Sequence, residues 1–133
     1  MGYTIYWKSI KANKETVDVT IDMIKQVIDH RHRINITEYG FNFDAGCETF
    51  MYNMKCEEYD GCKTRRRFPY TEDVMKALIV MVEMGLVANP SHDGELSEFL
   101  QPLEEVSKVI LLKTYDQQKK YFSTKDSEEY IGS

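Results

Sequence analysis

The chain has 133 residues, 42% of them hydrophobic, and a formal net charge of −5 at pH 7. This length and composition are typical of one globular domain and exclude a disordered chain. The acidic balance disfavours a general nucleic-acid binder, so we expect no long nucleic acid as a partner. The longest apolar run, near residues 77–82, is too short to span a bilayer, and the N-terminus lacks an apolar signal core. We therefore expect a cytoplasmic protein with no membrane partner.

The cysteines and histidines indicate no metal site. Cys47, Cys56 and Cys62 are odd in number and form no Cys-x-x-Cys pair, and the three histidines do not complete a zinc-ligand spacing. Reduced structural thiols fit a cytoplasmic protein. The sequence thus predicts neither a metal nor a cofactor.

Residues 3–7, Tyr-Thr-Ile-Tyr-Trp, are aromatic and β-branched and predict a strand. Alternation puts Tyr3, Ile5 and Trp7 on one face and Thr4 and Tyr6 on the other. Because both faces carry aromatic rings, we expect a central strand or one that is covered on both sides. Core packing is the simpler interpretation of these rings, and stacking of Tyr6 or Trp7 on a ligand ring is the alternative.

The next elements are a helix and a hairpin. Apolar residues at helical spacing follow Asn13 or Thr16 as the first helical cap, and the helix ends in a cationic run at residues 30–33. Residues 34–39 alternate as a strand that continues at 41–43, and residues 48–54 return antiparallel after a turn at 44–46. We expect this hairpin to pair with the N-terminal strand in one small sheet.

A second helix is predicted from about Thr71, as its N-cap, to Met84, with Gly85 after its end. It is apolar all round and is therefore the expected buried spine. Residues 86–88 look extended, 89–94 form a turn, 95–100 suit a helix, and 103–114 suit a helix, with a strand at 109–112 as the alternative. From Asp116 onward the sequence is polar.

The predicted fold is α+β, a small, mostly antiparallel sheet packed against two principal helices. We expect one domain over residues 1–115 and a polar tail over 116–133 that frays or docks on another subunit of a homo-oligomer.

A basic loop at residues 61–70 carries the clearest functional signal. Lys63, Arg65, Arg66 and Arg67 concentrate positive charge in an acidic chain, and a helix N-terminus follows. Cations, a hydroxyl and N–H donors together suit a phosphate or a carboxylate. The alternatives are a solvated loop, or a loop that the acidic turn at residues 57–61 neutralises.

Three segments, in order, resemble a family of small tailed-phage proteins. The opening Gly-Tyr-Thr-Ile-Tyr-Trp (residues 2–7) is similar to the family's Gly-Tyr-Thr-His-Tyr-Trp, with Ile5 in place of the histidine. Residues 62–64 and 69–70 resemble its Cys-Lys-Thr…Pro-Tyr segment, although Thr71 displaces the usual acidic residue, and Ser91-His92-Asp93-Gly94 resembles its Ser-x-Asp-Gly element. The resemblance ends near residue 99. It implies a phage origin and an infected bacterial host, but it brings no established activity.

These observations predict a phage anti-defence protein that binds and sequesters a nucleotide-derived immune signal of the cyclic nucleotide or ADP-ribose type. Cations would hold phosphate, rings would stack on a base, and small polar side chains would meet the sugar. The predicted ligand-binding residues are Tyr3, Tyr6, Trp7, Lys63, Thr64, Arg65, Arg66, Arg67, Tyr70, Ser91 and Asp93. One alternative is an inhibitor that binds a host protein through the acidic surface and the aromatic tail. The other is a small nucleotide-hydrolysing enzyme using His92 and Asp93 with Lys63 or Arg66, although no standard catalytic motif is present.

Overall fold

The computed structural model of the protein describes residues 2–29, 33–65, 69–124 and 131. Within these residues a short 3₁₀ helix, Leu96–Phe99, precedes the third of four α-helices. In chain order, the strands and α-helices are β1 (Gly2–Ser9), α1 (Lys14–Lys25), β2 (Asn35–Thr37), β3 (Gly40–Asp44), β4 (Thr49–Asn53), β5 (Glu58–Arg65), α2 (Tyr70–Glu83), β6 (Val87–His92), α3 (Leu100–Ser107) and α4 (Tyr115–Ser123). The α+β class is confirmed.

The strands form two three-stranded antiparallel sheets rather than one. The first has the order β5-β1-β6 and the second β2-β3-β4. The predicted pairing of residues 41–43 with 48–54 is present, but the predicted pairing of this hairpin with β1 is wrong. Since β5 takes one edge of β1 and β6 takes the other, β1 has no free edge for the hairpin. The predicted continuation of one strand from 34–39 into 41–43 is also wrong, because β2 and β3 are antiparallel strands joined by a turn at residues 38–39. A bridge between Gly46 and Thr64 links the loop after β3 to β5.

The helix α2 is the buried spine that the sequence predicts. Val74, Leu78 and Met81 are fully buried, and so are the apolar residues Ala77, Ile79 and Val80 between them. The inner faces of both sheets meet in an aromatic stack, in which the Phe50 ring lies 4.9 Å from Trp7 and 5.0 Å from Phe43. Burial on this scale is the main favourable contribution to folding.

The two predicted helix caps differ in outcome. Asn13 caps α1, because its side chain accepts a hydrogen bond from the Thr16 N–H at 2.8 Å. Thr71 does not cap α2, which begins one residue earlier with Pro69 at the cap position. The Thr71 side chain is buried in the first turn, where its hydroxyl donates to the Arg65 carbonyl oxygen at 3.0 Å.

The C-terminal part is more ordered than the sequence predicts. The helix expected to run to residue 114 ends at Ser107, and the alternative strand at 109–112 does not form. Residues 116–123, expected in a polar tail, belong to α4, so the structure has more helices than the two principal ones predicted. Phe122 explains this packing, because it is fully buried and stacks on Phe99 at 4.6 Å. Residues 125–130, 132 and 133 of the predicted tail lie outside the described residues.

Candidate functional site

All three segments that carry the family resemblance meet on the first sheet. Strand β1 lies at its centre, residues 62–64 of the second segment lie on β5, and the third segment lies at the end of β6. Residues 69–70 of the second segment lie at the start of α2. Thr4 lies opposite Lys63, while Tyr6 lies opposite Gly61 on one side and Ser91 on the other. Residues far apart in sequence therefore become neighbours around the first half of β1.

Alternation along β1 and β5 sorts the predicted residues between two faces. Trp7 and Thr64 point inward and are core residues, so their predicted contact with a ligand does not fit the structure. The Trp7 side chain is 2% exposed, and its indole N–H donates to the Ser9 hydroxyl at 3.1 Å. Thr64 is fully buried with its hydroxyl 3.0 Å from that of Thr71. Trp7 thus serves the packing between the two sheets, and Thr64 serves the packing between the first sheet and α2.

The outward face of the same strands is accessible to solvent and combines rings with cations. We call it the open sheet face. Its residues are Thr4, Tyr6 and Lys8 of β1, Tyr59, Gly61, Lys63 and Arg65 of β5, and Ser91 of β6. Four of the predicted binding positions that the structure describes are not on it: Tyr70 and Asp93 lie near its ends, and Trp7 and Thr64 lie beneath it.

Tyr6 is held in a defined position on this face. Its hydroxyl donates to Asp93 Oδ1 at 3.1 Å, yet the residue remains 44% exposed. A Cβ atom added to Gly61 would lie 3.1 Å from Tyr6 Cδ1, so the ring lies close over bare backbone. One edge of the ring is therefore supported by β5, and its polar tip is fixed by the loop after β6.

Asp93 fixes the end of β6 against β1. Its Oδ2 accepts from the Thr4 N–H at 3.1 Å, and its own N–H donates to the Thr4 carbonyl oxygen at 3.1 Å. A carboxylate has about four acceptor positions, and these contacts together with Tyr6 occupy two of them. Asp93 can therefore position the Tyr6 ring and still accept a hydrogen bond from a ligand hydroxyl.

The cations of the open sheet face lie near acids, of which Glu48 accepts a hydrogen bond from the Lys63 N–H at 2.6 Å. Among the described residues, no ion pair joins Lys8, Lys63 or Arg65 to a carboxylate. Most of the predicted acidic turn and the first half of the predicted basic loop form one strand, β5, and its Asp60 accepts a hydrogen bond from the Ser9 hydroxyl at 3.1 Å. Lys8 Nζ lies 5.9 Å from the centroid of the Tyr59 ring, a cation–π distance. This face is therefore a local positive region on an acidic protein.

Arg65 and Tyr70 approach each other beside Gly46. A Cβ at Gly46 would lie 2.5 Å from the Arg65 Cβ and 3.0 Å from the Tyr70 Cγ. The φ of +94° at Gly46 also requires glycine. Tyr70 is half-buried at the start of α2, so the predicted proximity of this ring to the basic segment is present. Arg66, Arg67 and the Tyr3 side chain lie outside the part of the chain that the structure describes.

His92 and Asp93 do not form a pair suited to catalysis. The His92 ring packs against Phe99, with centroids 5.5 Å apart, and its Nδ1 accepts from the Gly94 N–H at 2.8 Å. Asp93 instead turns toward Thr4 and Tyr6 on the outer side. The two side chains therefore contact different parts of the protein.

A concave cleft lies elsewhere, between the start of α2 and α3. Glu72, Glu98 and Glu105 line it, and Lys76 Nζ contacts Glu105 at 3.3 Å. Within the described residues, no set of three or more His, Cys, Asp or Glu side chains is arranged to hold a metal ion. An acidic lining repels phosphate, so this cleft does not suit the predicted anion.

Sequence reasoning missed Lys8, Tyr59 and Gly61. Tyr59 stood within an acidic turn and Lys8 at the end of a strand, and neither position suggested a shared surface. The pairing of β1 with β5 brings Lys8 opposite Tyr59 and Gly61 opposite Tyr6. Only this register, which the sequence does not encode locally, identifies them.

No family model, curated protein or solved structure matches the chain. The resemblance to the phage proteins therefore stays a prediction, based on the three segments that meet around β1. None of the helices in the described part of the chain has the length and apolar character that crossing a membrane would need.

Proposed function

We propose that the open sheet face binds a small nucleotide-type anion. The main support for this proposal is the placement of the Tyr6 ring over Gly61, two residues along β5 from Lys63. The ring offers a stacking surface for a base, while Lys63 and Arg65 offer charge to a phosphate. Ser91 and the remaining acceptor positions of Asp93 are suited to sugar hydroxyls.

The charge distribution supports a small ligand in preference to a long one. The three cations of the face attract an anion locally, whereas the whole chain carries a net charge of −5. A mononucleotide or dinucleotide would contact only the positive region. A long polyanion would meet repulsion beyond it.

The proposed biological role is sequestration without chemistry. Binding alone suffices to lower the free concentration of a signal, and the described site contains a stacking ring, cations and hydrogen-bonding groups. Together with the resemblance to phage proteins, this supports an anti-defence protein that captures a cyclic nucleotide or an ADP-ribose-type immune signal in the bacterial host.

Thermal unfolding with cyclic mononucleotides, cyclic dinucleotides and ADP-ribose isomers tests the proposal. A ligand at about 100 times its Kd stabilises the protein by roughly 2.7 kcal/mol. We expect one ligand to shift the wild type, Lys63→Ala to lose most of the shift, and Lys55→Ala to keep it. Lys55 is the matched control, because it is exposed and lies 5.6 Å from the Tyr39 ring beside the other sheet. An unchanged transition with the whole panel would overturn the proposal.

Analysis of the recovered ligand separates sequestration from catalysis. After incubation and denaturation, chromatography should return the ligand intact and in a stoichiometric amount. Conversion of excess ligand with turnover would favour the enzyme instead.

A protein-binding role is the second candidate, and the connection between α3 and α4 favours it. Leu111 is 94% exposed there, and Val109 is also exposed. Exposed apolar side chains close together commonly mark a protein contact. The aromatic tail predicted from the sequence gives this role less support, because Tyr121 and Phe122 are buried in the core. This candidate would be favoured if the wild type binds no nucleotide and self-associates or captures a host protein, and if Leu111→Ser loses that association.

A further inference from the structure

The open sheet face carries a second aromatic ring, and this suggests the size of the ligand. Resting on the function proposed above, we infer that the site takes a ligand with two bases, a free dinucleotide. Tyr59 is 79% exposed on the same face as Tyr6. An exposed ring of this kind contributes little to the core, so its packing does not explain its position.

The register places the residues that carry the two rings on adjacent strands, one step apart along the same face. Lys63 directs its N–H to the Glu48 side chain and its carbonyl oxygen to the Glu48 N–H, away from β1. Thr4 and Lys63 are therefore a non-hydrogen-bonded pair, and the alternation of an antiparallel ladder makes Tyr6–Gly61 and Lys8–Tyr59 pairs of the same type. Tyr6 and Tyr59 are then diagonal neighbours, about 7–8 Å apart.

Each ring has a cation beside it. Lys8 Nζ lies 5.9 Å from the centroid of the Tyr59 ring. Lys63 lies two residues along β5 from Gly61, which supports the Tyr6 ring. Two stacking surfaces with a cation each match a ligand of two bases and the phosphates that join them. Gly61 lies beneath the Tyr6 ring and places no side chain of its own between Tyr6 and Tyr59.

Carboxylates at both sides limit the length of the ligand. Asp93 stands where β6 ends, and Glu48 lies beyond the outer edge of β5. A longer single strand that crosses the sheet would bring further phosphates toward these acids, which favours a short ligand. The same chemistry of base and phosphate occurs in single-stranded nucleic acid, so the experiment includes an oligonucleotide.

Isothermal titration calorimetry tests the inference with adenosine monophosphate, linear and cyclic di-adenosine ligands, and a ten-residue oligoadenylate. We expect one of the dinucleotides to bind the wild type at least about ten-fold more tightly than the mononucleotide, as stacking of a second base implies. Tyr59→Ala should remove this advantage, so that the variant binds the dinucleotide no more tightly than the mononucleotide. Tyr39→Ala, the control, should change neither value, because Tyr39 is 44% exposed and beside a lysine but near the other sheet.

The remaining outcomes overturn one proposal or both. Equal affinity for the mononucleotide and both dinucleotides, lost only in Lys63→Ala, overturns the two-base inference and leaves the proposed function in place. Tighter binding of the oligonucleotide than of either dinucleotide, beyond the statistical gain from its many sites, makes single-stranded nucleic acid the ligand and overturns the free dinucleotide. Absence of binding by all four probes overturns this inference; the proposed function falls with it only if the broader ligand panel also fails.

Discussion

Gly61 shows how one residue sets the position of a candidate ligand-binding ring. Its missing side chain leaves the space that the Tyr6 ring occupies, since a Cβ there would come within 3.1 Å of Cδ1. We expect Gly61→Ala to displace the ring and to weaken nucleotide binding several-fold. Folding should be unaffected or slightly improved, because alanine loses less backbone freedom than glycine in a strand. Calorimetry for affinity, alongside thermal unfolding, measures both effects, and unchanged affinity would contradict this account of the ring.

The Tyr6 hydroxyl offers a gentler change at the same site. Tyr6→Phe keeps the ring and removes its hydrogen bond to Asp93, while Asp93 keeps its bond from the Thr4 N–H. Such a bond contributes about 0.5–1.5 kcal/mol. We expect a modest loss of ligand affinity, smaller than that of Tyr6→Ala, when both variants are titrated with the same nucleotide. Equal losses would mean that the hydroxyl, not the ring, carries the interaction.

For single residues, the sequence predicted candidate binding side chains but could not show which of them face the core and which face solvent. Alternation correctly separated Tyr6 from Trp7, yet nothing in residues 3–7 shows which face meets the core. That choice depends on the aromatic stack with Phe50, a residue on a different sheet. Asp93 was predicted to meet a ligand sugar, and its bonds to Thr4 and Tyr6 became visible only with the fold.

Among the elements, α4 depends on a carboxylate from another helix. The Glu83 side chain accepts from the Lys113 and Thr114 N–H groups at 3.1 and 2.9 Å, and from the Thr114 hydroxyl at 2.7 Å. We expect Glu83→Ala to lower the free energy of unfolding by about 1–3 kcal/mol, because these donors lose a charged acceptor. Hydrogen exchange should accelerate over residues 115–123. In Glu83→Gln, which keeps one carbonyl acceptor, the loss should be smaller. Equal protection of α4 in all three proteins would contradict this role.

Elements with a strong local pattern were predicted best. The helix α2 is apolar over most of its length, and the hairpin of β3 and β4 has a clear turn, so both were found. The helix α4 was missed because only Tyr121 and Phe122 stand out in a polar stretch, and the burial of Gln118 against the Ile79 carbonyl has no sequence signal. The pairing of β1 with β5 and β6 joins distant segments, which local patterns do not specify.

For the whole molecule, three buried acids predict a loss of stability at alkaline pH. Burial raises the pKa of Tyr52 and of Tyr121 to about 12, and burial with the nearby Glu48, Cys47 and Asp44 raises that of Cys62 to about 12. Because the folded pKa values exceed the unfolded ones, the stabilisation is complete below the unfolded values. It decreases as the pH rises toward the folded values.

The expected decrease in the free energy of unfolding begins near pH 9, the ordinary pKa of the cysteine, and extends to about pH 12. Each group contributes about 1.4 kcal/mol per pH unit within its window. Denaturant unfolding under reducing conditions measures the curve. Cys62→Ala should move the onset toward pH 10, where the tyrosines begin, whereas Cys56→Ala should leave it near pH 9. An identical onset in both variants would show that Cys62 does not set it.

The central claim is that the open sheet face is the ligand-binding surface of this acidic protein. The most direct test is a ¹H–¹⁵N NMR titration with cyclic di-adenosine monophosphate and with ADP-ribose. For at least one ligand, we expect saturable chemical-shift changes at the amides of Thr4, Tyr6, Gly61 and Lys63, with the amides of β2–β4 nearly unchanged. Saturable shifts confined to the acidic cleft at Glu72 and Glu105, or no shifts with either ligand, would contradict it.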